Sequence, residues 1–415
     1  MSPTPRAALL LTVAAASALV LPVALAVALT ALVVLASVAD ALAARRAPEL
    51  ECALPSILAR TVPGPLTVEI KGGAPGAVRV RQASPADVTI EPPESHGDLD
   101  ATITASRRGR HRLPAAALRS EGPLGLGAAY RRSDEEAELL VYPDLPTARR
   151  LALLVRRGRF PESGSRPRGA LGLGTEFESV RDYSPDDDFR QINWAATART
   201  GRPMSNQFRL EQDRDVLCAV DVGRLMGAPL GGATRLDAAV DAVTAVSLAA
   251  DELGDRCGVL AFDDAVRRDL GTRRKGARAV VDAVFDLEPS SVDSDYELAF
   301  RKLEGTKRAF ILVLTDLLDT SAARSLVDAL PVLARRHSVA VASAVDTDLQ
   351  DILQRPPGAL ADVYEVAVTL EVLEARRRAV AQLRATGADV IEAPPRSLGA
   401  ACVGAYLRAK QRARI

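Results

Sequence analysis

From Ala7 to Ala39 the chain carries no charged residue, and the only polar side chains in that run are Thr12, Ser17, Thr30 and Ser37. As one helix the run would rise about 50 Å, against about 30 Å of hydrocarbon in a bilayer. Pro22 stands in its middle, where a missing N–H and a bulky ring kink or end a helix. Two short spans, 7–21 and 23–40, joined at Pro22, fit the length, so residues 1–45 are predicted to form a transmembrane hairpin. Each span is short and asks for local thinning of the bilayer. Arg6 precedes the run and Arg45 and Arg46 follow it, which places both ends in the cytoplasm by the positive-inside rule. The expectation is therefore a multi-pass plasma-membrane protein with its soluble domains on the cytoplasmic side. Two other readings stay open. A signal peptide would use Ala41–Ala44 as its cleavage site, although its apolar region is normally much shorter. A single tilted span would leave the rest of the chain outside.

The remaining length allows two or three further domains. Lys+Arg and Asp+Glu are both 53, so no whole-molecule field attracts nucleic acid. Cys52, Cys218, Cys257 and Cys402 lie far apart without paired spacing, which reads as buried reduced thiols rather than a disulfide frame or a zinc site. Residues 61–145 alternate apolar and polar in short runs, as in Val68-Glu69-Ile70-Lys71 and Val78-Arg79-Val80-Arg81. This predicts a small antiparallel, sandwich-like β domain that serves as a spacer or docking module. Residues 146–174 read as a basic linker, with a helix that is either solvated or near anionic lipid, followed by a loop rich in Gly, Pro and Ser. From 215 to 415, buried strands alternate with helices, which predicts a doubly wound sheet with helices on both faces.

In such a sheet, ligands bind beyond the carboxyl ends of the strands. Asp221 follows the first strand and Asp316 a later one. With their loops, Asp221-Val222-Gly223-Arg224-Leu225 and Leu314-Thr315-Asp316, they resemble the metal-ion-dependent adhesion site of von Willebrand factor A domains. That family's first loop is Asp-x-Ser-x-Ser, and its two hydroxyls help to hold Mg²⁺, a cation that demands octahedral oxygen ligands. Gly223 and Leu225 stand at the hydroxyl positions, so the resemblance implies at most a degenerate Mg²⁺ site at Asp221 and Asp316. Asp263, Asp264 and Asp319 are further oxygen donors nearby. The alternative is that the two acids cap helices or pair with Arg224.

Residues 175–214 form a charged arm with the chain's only tryptophan. Gly174, Phe177, Arg181, Tyr183, Asp187, Asp188, Arg190, Ile192, Trp194, Ala198, Arg199 and Glu211 fall where the signature of domain-of-unknown-function family 58 places its residues. Arg108–Leu113, Pro123–Leu126 and Tyr142-Pro143 follow that family's pattern in the β region. Asp186, His111 and Glu121-Gly122 depart from it. The resemblance implies a membrane-anchored protein with a von Willebrand factor A-like domain, working with a MoxR-type AAA+ ATPase in assembly or maturation of protein complexes.

Two readings of the arm stand side by side, even for the charges, with burial the expectation for Trp194 and Ile192. In one, Arg181, Asp187, Asp188 and Arg190 form an ion-pair network presenting Tyr183 and Trp194 to a partner. In the other, the arm folds over its own domain, with Trp194 and Ile192 buried. His96, His111 and His337 are scattered, and Gly169-x-x-Gly172-x-Gly174 lacks the lysine and helix of a phosphate loop. A non-enzymatic scaffold is the leading expectation. A metal-dependent adhesion receptor is the alternative, and a hydrolase using Asp186–Asp188 is a third. Arg408, Lys410, Arg412 and Arg414 read as a solvated basic helix end, with contact to anionic lipid as the alternative.

Overall fold

A computed structural model describes the chain except residues 1, 46–47, 74–75, 134–135, 159, 161–175, 185–186, 188, 210–212, 318–319 and 413–415. It divides into two compact units, Met1–Tyr142 and Pro143–Ile415.

The first unit opens with α1 (Pro5–Ala16) and α2 (Val23–Ala44), joined by a 3-10 turn at Ser17–Leu19. Thr4 caps α1, and Pro22 is the residue immediately before α2, as a residue without an N–H requires. Ala7, Ala14 and Ala26 are the buried residues where the helices pack, while leucines such as Leu9, Leu25, Leu32 and Leu35 face outward. Small residues inside and large apolar ones outside invert the soluble pattern and match a lipid surround. Among the described residues, α2 alone is long and apolar enough to cross a membrane; α1 is apolar but shorter.

The rest of this unit is three small β-sheets around one core. The clearest strand, Leu99–Ala105, alternates as its sequence predicts, burying Leu99, Ala101, Ile103 and Ala105. Three strands lie outside the expected limits of 61–145. Glu49–Ala53 pairs with Gly64–Lys71, Ile57–Ala59 runs parallel to Ala137–Tyr142, and the two-residue strand Ser2–Pro3 joins the edge of Gly127–Arg132. None has a long alternating pattern of its own, so only pairing reveals it.

The second unit is built on a six-stranded sheet. Its strands are β1 (Asp215–Asp221), β2 (Arg256–Phe262), β3 (Val266–Arg274), β4 (Ala309–Leu314), β5 (Ser338–Ala344) and β6 (Asp389–Ala393), in spatial order β3-β2-β1-β4-β5-β6. All run parallel except the edge strand β3. Val216, Cys218 and Val220 of β1 enter one core, and Leu217 and Ala219 the opposite one. A strand covered on both faces reads as a continuous apolar run. On one face lie α3 (Leu145–Arg156), α5 (Arg235–Glu252), α6 (Ala277–Val284) and α11 (Pro395–Gln411); α7 (Tyr296–Glu304), α8 (Thr320–Ala334) and α10 (Leu360–Ala385) cover the other. Two shorter helices, α4 (Trp194–Thr200) and α9 (Asp348–Gln354), complete the set.

Two basic segments differ from expectation. α3 is neither a linker nor a lipid-facing helix: Ala148 and Val155 sit in the core with α5, and its arginines occupy the outer face. Lys410 is not part of a solvated helix end. Its ammonium is buried and bonds Asp255, which also accepts the Tyr406 hydroxyl. Burial draws the Lys410 ammonium below its ordinary range, against the pull of Asp255. Arg408 pairs with Asp389 at 3.2 Å, and Arg414 lies outside the described residues. The four cysteines are free thiols, and burial pushes Cys218 up to about 12, as inert core thiols require.

His337, before β5, is buried, and neither ring nitrogen has a hydrogen-bond partner among the described residues. Burial, then the neighbouring Arg336, lowers its pKa. The unfolded chain therefore holds more protons as pH falls below about 6.5, the ordinary histidine value. Acidification from that value down to the lower folded pKa is expected to destabilise this unit, and His337→Leu to flatten that slope. Calorimetric melting across the window checks both.

Candidate functional site

The register places Val220 of β1 beside Leu314 of β4 and Asp221 beside Phe262 of β2. Asp221, Asp263 and Asp316 therefore share the carboxyl edge of the sheet, where the two predicted acids were expected to lie together. Both are buried.

Asp221 is enclosed by donors. One carboxylate oxygen accepts Gly223 N–H at 2.8 Å and Ser294 Oγ at 2.5 Å. The other lies 2.8 Å from Tyr296 OH and 2.7 Å from Thr315 Oγ1, which are themselves 2.8 Å apart. Two hydroxyl protons thus serve three short contacts. Burial, reinforced by the charge of Asp221, raises the Tyr296 phenol well above its ordinary value, so it stays a proton donor at physiological pH. Gly223 explains the absent serine. A Cβ there would lie 2.3 Å from Ser294 Oγ and 3.0 Å from Val292 O. A hydroxyl from a different loop already occupies that space.

Asp316 meets a cation from within the chain. Arg235 Nη1 donates to Asp316 at 3.0 Å and to Ala344 O at 3.1 Å, and the Leu317 N–H adds a 2.9 Å bond. The two side chains are only 4% and 2% exposed. Arg235 begins α5, immediately after the N-cap Thr234 and inside the Thr234–Asp237 capping box. A positive charge at a helix N-terminus opposes the helix dipole, so this placement depends on the facing carboxylate. Arg376 of α10 closes the same edge further along, bonding Glu392 at 2.7 Å and Ala344 O at 3.3 Å. Arg224 pairs with Asp293, where one reading had it pair with Asp221 or Asp316.

Asp263 is fully buried. Burial favours its neutral form, but Arg267 at 2.7 Å and the Ala265 N–H hold its carboxyl below the usual range. Asp264 shares Arg267 at 3.1 Å, and Asp319 lies outside the described residues. No cluster of three or more His, Cys, Asp or Glu side chains suited to a metal occurs among the described residues. The donor set does not fit Mg²⁺. One acid already faces a guanidinium, the other is surrounded by hydrogen-bond donors, and two of the hydroxyls of the adhesion pattern are absent.

The charged arm is a β-hairpin with a capped tip. Among the described residues Glu176–Asp182 and Met204–Arg209 form a two-stranded sheet of their own, with Arg181 opposite Ser205 and Asp182 opposite Met204. Between them lie the 3-10 turn Phe189–Gln191 and α4. Asn193 organises this tip: its Oδ1 accepts Ala196 N–H at 2.9 Å, its Nδ2 reaches Asn206 at 2.7 Å, and its N–H bonds Met204 O at 2.8 Å. Gly201 ends α4 in the left-handed conformation.

Arg181 donates to Asp187 at 2.5 Å, and Tyr183 OH lies 3.4 Å from the Asp187 carbonyl. The Ser184 N–H, then Arg181, hold the Asp187 carboxyl below the usual range. Arg199 bonds the carbonyl of Ala195 in its own helix. The Arg190 side chain, Asp186, Asp188, Gly174 and Glu211 lie outside the described residues. Trp194 is not buried, contrary to the folded-over reading. It is 63% exposed and stacks edge-on against Phe189, 68% exposed, with ring centroids 5.9 Å apart. Ile192 is half-buried, bridging to Ser205.

Phe189, Asn193, Arg235, Ser294 and Tyr296 were not singled out from the sequence. Asn193 before a helix start is a readable cap. The roles of Arg235 and Ser294 depend on residues far along the chain.

A doubly wound α/β unit with a self-satisfied acidic edge, preceded by an aromatic-tipped hairpin, defines the class of protein. The chain belongs to the family described as Protein of unknown function DUF58, whose model matches residues 179–384, from the hairpin into α10. Uncharacterized protein Rv1480 of Mycobacterium tuberculosis (strain H37Rv) and Uncharacterized protein Mb1516 of Mycobacterium bovis are each 25% identical to it over 181 residues. That stretch is 42% of this chain and 56% of each relative, so the chain spans about half the length of the curated relatives it matches. A solved structure of the sulfur carrier protein SoxY from Chlorobium limicola aligns with 26% of this chain and 97% of its own, at 17% identity and a TM-score of 0.15. A score so low carries no argument about fold or activity.

Removing one member of a buried ion pair costs about 3–5 kcal/mol. Arg235→Met is expected to destabilise the α/β unit by about that much, and adding Asp316→Asn to recover most of the loss. Scanning calorimetry of the two single variants and the double variant measures the coupling. A neutral Arg235→Met would remove the pair from any part in closing the edge.

Proposed function

We propose that this protein is a membrane-anchored interaction scaffold, facing the cytoplasm from a two-pass hairpin, whose α/β unit is von Willebrand factor A-like. The observation that carries the scaffold reading is the Phe189–Trp194 pair, two large rings left in solvent on a hairpin tip. Exposed aromatics are costly unless a partner covers them, and aromatic residues dominate binding hot spots. The cap at Asn193 and the Arg181–Asp187 pair hold the tip in one shape, which lowers the entropy lost on binding. Tyr183 and Asp187 brace the hairpin in this reading and do not themselves contact the partner.

The strand order, the antiparallel edge strand and the pair of edge acids support the von Willebrand factor A-like assignment. The partner proposed is a MoxR-type AAA+ ATPase, in assembly or maturation of protein complexes; that step rests on the family resemblance alone. The anchor rests on the apolar hairpin, and the cytoplasmic side on its flanking arginines. No catalytic role is assigned. Asp187 is committed to Arg181 and Ser184, which weighs against a hydrolase centred on Asp186–Asp188. The adhesion-receptor reading draws on the shared edge of Asp221 and Asp316, and the Arg235 guanidinium weighs against it.

The test uses the full-length protein in nanodiscs and a purified MoxR-type ATPase from the same genome. Binding is expected, and Phe189→Ala with Trp194→Ala should weaken it at least about tenfold with circular dichroism unchanged. Titration of MgCl₂ alone into the nanodisc protein is expected to give no saturable heat. A folded protein that does not bind the ATPase would remove that partner, and saturable Mg²⁺ binding lost in Asp221→Asn would favour the receptor.

A further inference from the structure

The Pro123–Gly127 turn contains the Pro123–Leu126 stretch of the family resemblance, yet it has no part in the hairpin tip or the acidic edge. It meets the foot of the apolar helices instead. Asp40, near the end of α2, is buried, and its carboxylate accepts the N–H groups of Leu124, Leu126 and Gly127 at 2.8, 2.7 and 2.9 Å. The foot of α1 holds the same turn: Thr4 donates its hydroxyl to Gly125 O at 2.6 Å and its N–H to Leu126 O at 3.0 Å. Both ends of the apolar hairpin are therefore bonded to one short turn.

The fit depends on the absence of side chains there. A Cβ on Gly122 would lie 2.3 Å from the Asp40 carboxyl, and one on Gly127 would lie 2.4 Å from Ala41 N. Backbone meets backbone at a distance that only glycine permits. A carboxylate at the end of an apolar helix is expensive near lipid, and successive N–H groups make a concave anion nest for it. Leu124, whose N–H binds that carboxylate, keeps its side chain 63% exposed. The Arg6 guanidinium lies beside Gly125, with Nη1 3.0 Å from where a Cβ on that residue would be.

Depth follows from where the charge returns. Asp40 is the first charged residue after the apolar run of 7–39, so its level marks the boundary between acyl chains and headgroups; Val23 to Val38 rises about 24 Å, less than the roughly 30 Å of hydrocarbon, a shortfall met by local thinning of the bilayer. We propose that the Pro123–Gly127 turn is a membrane-interface contact closed by Asp40, seating the β-sheets of this unit on the bilayer with Leu124 among the upper acyl carbons and Arg6 at the headgroup phosphates. An apolar tip beside a cation is the chemistry that boundary accepts. The proposal rests on the membrane-anchor reading.

The test uses the full-length protein carrying Trp194→Phe, reconstituted in phosphatidylcholine–phosphatidylglycerol vesicles. Single tryptophan reporters are placed by Leu124→Trp or Val27→Trp, with lipids brominated high or deep on the acyl chain. The Leu124→Trp emission is expected to fall by about half with shallow bromines, the depth that interfacial tryptophans favour, and Val27→Trp to be quenched by deep ones. Adding Asp40→Ala should release the first signal and leave the second. Quenching of Val27→Trp alone would overturn the interface contact while leaving the anchor. Loss of both would overturn the anchor and the contact with it. Quenching of Leu124→Trp that survives Asp40→Ala, with the β-sheet dichroism intact, would overturn the role of Asp40; Gly127→Ala, which wedges the same joint, is the second variant to read.

Discussion

The buried pair of Arg235 and Asp316 governs the carboxyl edge of the sheet. An arginine in the first turn of a helix works against the helix dipole and loses its hydration when buried, so it is tolerated only with a carboxylate in front of it. That carboxylate in turn stands at the end of β4, where an open α/β sheet usually offers its charge to a ligand. The chain has turned this charge inward. Asp221 follows the same logic with neutral donors, taking Ser294, Tyr296, Thr315 and a backbone N–H. Buried networks of this kind add little net stability, but they demand a single arrangement. The edge is closed by its own residues.

Much of the α/β unit was legible because its signals are local. The run Val216–Val220 had to be a strand covered on both faces, and β1 sends its side chains alternately into two cores. The break at Pro22 was equally local. β3 was not found, because its sequence, VRRDLGTRR, is that of a solvated edge, where charge discourages further pairing. The strand Ser2–Pro3 carries no pattern at all and exists through its bonds to Gly127 and Ala128. The basic stretch around Arg149 and Arg156 drew attention to its charges, whereas the three small or branched residues that bury α3 decide its place.

The site divides in the same way. Asp221 and Asp316 could be placed at strand ends from sequence, since that position follows from strand and helix periodicity. Arg235 could not be paired with Asp316, which lies 81 positions away, and Ser294 could not be seen filling the space above Gly223. Trp194 was misjudged for a physical reason: large aromatics are highly buried on average, and that average fails for a residue at the start of a two-turn helix that buries only Ala196. Lys410 failed in the opposite sense. A lysine near a C-terminus is normally solvated, and only the Asp255–Tyr406 pocket brings it inside.

A sealed edge and an exposed tip fit together once both are counted as surfaces. The family match begins inside the hairpin, at residue 179, and continues through β5 into α10, so it takes in most of the hairpin together with five of the sheet's six strands. Within the hairpin the polar residues are spent on shape: Asn193 on the cap, Asp187 on Arg181 and Ser184, Arg199 on its own helix. What they leave outside is Phe189 and Trp194. A rigid frame of satisfied polar groups around unsatisfied rings is how a small element concentrates binding energy without a large interface. In the scaffold proposed above, the charges that dominate the arm's sequence are the mounting, and the two rings are what it presents.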